Sequence, residues 1–170
     1  MTKKFSIIIA LLLLCHLFVE VVYGQTAKEA YLALKYLEAK TETGISYRDY
    51  STAVGDAWFK VKMFLESKKA GDGSQVKKSI ETAMGYYKNA ATIWGFQFSP
   101  ESNELIEGFK RKGFIMALGG EGRQIKALYP KARTVEGYEN KGVYDVQAIV
   151  RIFWKDASAE LKKISFSFQE

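Results

Sequence analysis

Apolar residues recur at spacings of three and four along nearly the whole chain, a period that a helix face satisfies and a strand does not. Thr26 with Glu29 forms a capping-box signature, and behind it Ala27, Tyr31, Leu34 and Leu37 fall on one face until Gly44 supplies a stop. Ser46 with Asp49 is a second N-cap signal. It opens a stripe of Tyr50, Ala53, Val54, Ala57, Val61, Phe64 and Leu65 that should end by Ala70, where Gly71-Asp72-Gly73-Ser74 reads as a turn. From about Gln75, the residues Val76, Ile80, Ala83, Tyr87, Ala90 and Trp94 form a third stripe, closed near Gly95.

Ser99-Pro100-Glu101 combines an N-cap, a proline at the first helical position and an acid at the positive dipole end, and predicts a helix carrying Leu105, Ile106 and Phe109. The stretch 113–142 reads as an irregular, Gly-rich and polar connection, interrupted by a short helix over Arg123–Tyr129. The last stripe holds Val146, Ile149, Val150, Phe153, Ala157, Leu161 and Ile164, with Arg151, Lys155, Lys162 and Lys163 turned largely away from it. Alternation of strand type is confined to Ile164–Phe168, which reads equally as a helix end or a tail. The expected fold is all-α: an antiparallel bundle of four to five helices formed by one domain, 25–170.

Residues 1–24 have the parts of an export signal. Lys3 and Lys4 make a positive start, Phe5–Leu14 is an apolar core broken only by Ser6, and Val22-Tyr23-Gly24 is a small-x-small site that would release Gln25 as the new N-terminus. The alternative is an uncleaved anchor, since apolar character runs on to Tyr23. His16 and Glu20 break that run, and no basic cluster follows Gly24, so cleavage is the expectation, and contact with a membrane only through the signal before it is cut.

The single cysteine and single histidine, Cys15 and His16, lie inside that segment. A processed chain therefore has no thiol and no imidazole, which excludes Cys or His nucleophile systems, His/Cys zinc sites and disulfides. No cofactor, metal site or catalytic residue is indicated. Loss of Lys3, Lys4 and Glu20 lowers the net charge from +6 to +5, and the remaining 146 residues bury roughly two-thirds of their unfolded surface. A core of that size needs no staples, and an exported protein without them fits a bacterial periplasmic or secreted location.

Any enzyme built from this chain would rely on carboxylates, as in glycan hydrolysis. Asp49, Asp56, Glu81, Glu104 and Asp145 are the candidates, but caps and solvated faces account for them as well. Gly119-Gly120-Glu121-Gly122-Arg123 lacks the pattern of a phosphate loop and reads as a connection. Tyr47-Arg48-Asp49-Tyr50 is the densest polar-aromatic cluster, joined by Trp58, Tyr86, Tyr87, Trp94 and Trp154. Tyr50, Tyr87 and Trp94 match core spacing; Tyr47 and Arg48 do not, and are the candidate contact for a ligand or partner. The scattered basic residues read first as helix-solubilising charge, since acids are interspersed. As a contact surface they suit anionic envelope components better than nucleic acid, which an exported protein rarely meets.

Leu34–Glu38, Gly44-Ile45-Ser46-Tyr47 with Tyr50, then Tyr87, Ala90 and Trp94, Leu128-Tyr129, and Trp154, Ala157 and Leu161 together resemble a family of small exported, helical bacterial proteins of unassigned activity. The resemblance implies location and fold, with no reaction and no site residues to carry over. The expectation is a non-enzymatic envelope protein that binds an unknown ligand or protein. A carboxylate-based glycan hydrolase and a structural or assembly protein of the envelope are the alternatives.

Overall fold

The computed structural model describes residues 27–67, 74–98, 114–116, 120–137 and 142–168. The signal segment with its Gly24–Gln25 site, the Thr26 cap, the helix expected after Ser99-Pro100-Glu101, and Glu104 lie outside them. The architecture is an all-α bundle. Its helices are α1 (27–43), α2 (Tyr47–Leu65), α3 (Gln75–Gly95), the short α4 (Gly120–Leu128) and α5 (Val146–Lys162), with 3-10 turns at Phe96–Phe98 and Ser165–Phe168.

Among the described residues, the Gly44 stop and the Ser46 cap act where they were read. Gly44 leaves α1 at φ +90, a left-handed conformation open to glycine at no steric cost, so the chain reverses within 44–46. Ser46 caps α2: its hydroxyl accepts from the Asp49 N–H at 3.2 Å and donates to the Asp49 carboxylate at 2.7 Å. Ser74 caps α3 by accepting from the Lys77 N–H at 3.1 Å. Each such cap contributes about 1 kcal/mol to its helix.

Neighbouring helices run antiparallel, as cross-contacts at both ends show. Lys60 reaches Glu29 at 3.9 Å, placing the end of α2 beside the start of α1. The Tyr50 hydroxyl donates to the Tyr87 carbonyl at 2.9 Å, joining the start of α2 to the second half of α3. The Ser79 hydroxyl donates to the Glu160 carboxylate at 3.3 Å, joining the start of α3 to the end of α5. Tyr31 stacks on Phe168 at 4.5 Å, bringing the chain beyond α5 back to α1. The four long helices therefore close into a ring around one core, in which Leu34, Leu37, Tyr50, Val61, Ile80, Tyr87, Ile93, Phe153 and Leu161 are buried. Full burial of each large apolar side chain contributes roughly 1.5–3 kcal/mol.

The described residues within 113–142 hold ordered elements that the composition does not announce. Strands β1 (Phe114–Met116) and β2 (Val143–Asp145) pair antiparallel, with Phe114 opposite Asp145 and Met116 opposite Val143. Thr134 bridges Tyr144, and the Val135 N–H donates to the Val143 carbonyl at 2.7 Å, so β2 is flanked on both sides. Three-residue strands hold too few alternations to register as a period, which is why the sequence concealed them. The short helix begins at Gly120, three residues before the expected Arg123, so Gly120-Glu121-Gly122 belong to its first turn and not to a loop. Ile125, on α4, is fully buried and pins it to the bundle. Ile164–Phe168 is a helix end turning into a 3-10 turn, not a strand.

Candidate functional site

Ser46 starts α2 at Tyr47, which fixes the two residues singled out as a contact surface in the helix's first turn. Tyr47 is half-buried: its ring stacks on Phe98 at 4.7 Å and meets the edge of Trp94 at 5.7 Å. Gly95 makes that placement possible, because a Cβ there would sit 2.7 Å from the Tyr47 hydroxyl oxygen. Arg48 is exposed. Neither residue lines the three grooves described below. The structure thus joins Tyr47 to the aromatic cluster and leaves Arg48 on the outer face of α2.

The cluster itself is centred deeper. Tyr50, Trp94 and Trp154 form a triangle with ring separations of 5.4 to 5.7 Å. Tyr86 instead packs on Phe153 at 6.1 Å, and Trp58 lies under the Lys88 ammonium at 4.2 Å, so those two aromatics belong to other parts of the bundle. Burial pushes the Tyr50 hydroxyl well above the usual tyrosine range. Burial raises Tyr87 further, assisted by the negative charges of Glu38 and Glu42. The Tyr87 hydroxyl and the Trp154 indole nitrogen are both buried without a hydrogen-bond partner.

Two grooves meet over Trp154. One, of about 370 Å³, runs between α1 and α5, with Glu38 and Glu42 on the α1 wall and Arg151, Lys155 and Lys162 on the α5 wall. The other, of about 510 Å³, continues over the end of the bundle to Trp94, Gln147 and the 43–45 turn. Thr41, Glu42, Arg151 and Trp154 line both, so the two form one continuous depression. Glu42 and Arg151 face this space without an ion pair between them. Glu38 is bonded to Lys35 on its own helix, which holds the lysine above its ordinary range. Gln147 is anchored by donating its amide to the Gln97 side chain at 3.0 Å, fixing the rim where α5 begins.

Sequence reasoning placed Trp94 and Trp154 in the aromatic set but missed Glu42, Gln147 and Arg151. The charge pattern of α5 was visible, yet nothing in it says which helix its basic face will meet.

The candidate carboxylates are dispersed. Asp49 serves the α2 cap, Asp145 caps α5 by accepting from the Ala148 N–H at 2.9 Å, and Glu81 is exposed on α3. Asp49 and Asp56 do line a common groove of about 390 Å³ between α1 and α2, with Tyr36, Lys40 and Lys60. Seven residues apart, their Cα atoms are separated by about 10.5 Å along the helix axis. Among the described residues, no three His, Cys, Asp or Glu side chains gather as a metal-binding group, and no helix is long and apolar enough to cross a membrane.

Comparison with known proteins finds no matching family model, no similar curated protein and no similar solved structure.

Proposed function

We propose that this chain is an exported, non-enzymatic helical protein of the bacterial envelope that binds a ligand or partner in the depression over Trp154. The observation that supports the reading most is the combination there of an aromatic surface with the unpaired Glu42 and Arg151 side chains. Tryptophan supplies apolar contact area at low entropic cost, and the arginine fork supplies directional recognition of an anion. Tyr47 buttresses the Trp94 end of this surface through its edge contact.

The test uses protein exported from cells that express the full sequence. Adding a small-molecule extract of bacterial envelopes should change the tryptophan emission saturably, and Arg151→Glu, at an exposed position, should weaken the response at least about tenfold. Emission unchanged by any envelope extract would overturn the binding reading. Sequencing the exported protein from its N-terminus should give Gln25 as the first residue; a chain still beginning at Met1 would overturn the export-and-cleavage part.

A second reading, carboxylate-based glycan hydrolysis, draws on the shared groove of Asp49 and Asp56. It predicts release of chromophore from aryl glycosides, abolished by Asp56→Asn, and absence of turnover removes it. A structural or assembly role draws on Leu32, Tyr36, Phe59 and Met63, which are at least half exposed on α1 and α2. Sedimentation that stays monomeric at every concentration removes that one.

A further inference from the structure

We infer that the ligand of the Trp154 depression is a small zwitterion carrying a free ammonium group and a free carboxylate, such as an unblocked short peptide. The inference rests on the binding reading above and names its ligand class.

The two long walls of the depression carry opposite charge. Glu38 and Glu42 stand on α1, and Arg151, Lys155 and Lys162 stand on α5. Were the groove only a seam between helices, such walls would be expected to join through ion pairs, as Lys60 and Glu29 do between α1 and α2. Here no ion pair crosses; Glu38 is bonded along its own helix to Lys35, and Glu42 and Arg151 remain apart although both border the same space.

A neutral sugar could hydrogen-bond to both walls but would neutralise neither charge, and a simple anion would meet Arg151 but oppose Glu42. A molecule with both charges answers each wall at once. Its carboxylate takes the planar fork of Arg151 in a paired geometry, and its ammonium lies against Glu42. Half-buried Trp154 lines the same space and accepts the apolar body of the ligand. Tyr87 agrees with this polarity: burial chiefly raises its hydroxyl above the ordinary range, and the Glu38 and Glu42 charges push it the same way.

The experiment titrates the exported protein with alanyl-alanine and follows tryptophan emission and binding heat. Parallel titrations use the N-acetylated dipeptide, the dipeptide amide, and the neutral disaccharide cellobiose. Saturable binding of the free dipeptide is expected, with affinity reduced about tenfold or more by blocking either end. Arg151→Gln should remove discrimination against the amide while keeping that against the acetylated form, and Glu42→Gln should do the reverse. This crossed pattern is one that general destabilisation does not produce. Equal binding of blocked and free forms, or tighter binding of cellobiose, overturns the zwitterion while leaving a binding protein. No response to any of the four probes, alongside a response to envelope extract, also overturns it and spares the wider reading. Silence toward the extract as well removes both.

Discussion

Tyr50 and Tyr87 are both fully buried on facing helices, yet their hydroxyls have opposite fates. The Tyr50 hydroxyl donates to the Tyr87 carbonyl at 2.9 Å, whereas the Tyr87 hydroxyl has no partner. Tyr50→Phe should therefore cost about 1 kcal/mol, and Tyr87→Phe should be neutral or stabilising, because it removes a buried polar atom that gains nothing in the fold. Urea midpoints measure both. The same burial raises both tyrosines above their ordinary pKa of 10.0. Above that pH the unfolded chain releases tyrosine protons that the native chain keeps, so stability should fall as pH rises beyond about 10 and continue falling toward the raised native values. Tyr87→Phe should flatten that decline, as equilibrium unfolding at graded alkaline pH will show. At this scale the sequence was legible for Tyr50, Tyr87 and Trp94, whose spacing puts them on core faces. It was not legible for Glu42 and Arg151, because they share a surface only once α1 and α5 have packed, and no local pattern encodes that meeting.

Helix ends were the most readable elements, because a cap is a contact between residues three apart and is written in adjacent sequence. Gly44 is the sharpest case. Space around a Cβ there is open, so the only penalty on a side chain is the left-handed backbone at φ +90. Gly44→Ala should cost about 1–2 kcal/mol without disturbing any contact, seen as a lowered thermal midpoint with unchanged helical circular dichroism. Gly95→Ala should act differently. Its Cβ would displace the Tyr47 ring tip, so the signature is a change in Trp94 emission more than in stability. The β1–β2 ribbon escaped detection for the opposite reason to the caps. Its pairing joins Phe114–Met116 to Val143–Asp145 across a long intervening segment, and each strand is too short to show alternation. Asp145 shows how the two scales meet: it closes β2 and caps α5, which gives a physical role to a carboxylate that sequence alone could set among catalytic candidates.

For the molecule as a whole, the bundle was readable from its stripes, but the order of helices around the ring was not. Short connections predict that α1 neighbours α2 and α2 neighbours α3; they say nothing of α5 returning to lie between α3 and α1. That return is secured where Tyr31 stacks on Phe168, and Phe168→Ala should lower stability by about 1–2 kcal/mol in chemical unfolding. The ring also dictates an order of events. The first helix of the described bundle has the final one as a lateral neighbour, so part of its buried flank has nothing to pack on until α5 is available. A chain emerging from its N-terminal end has no finished core until α5 is free to pack, so cooperative folding should begin only then. The circular neighbour relation thus makes completion of the core wait on the last helix.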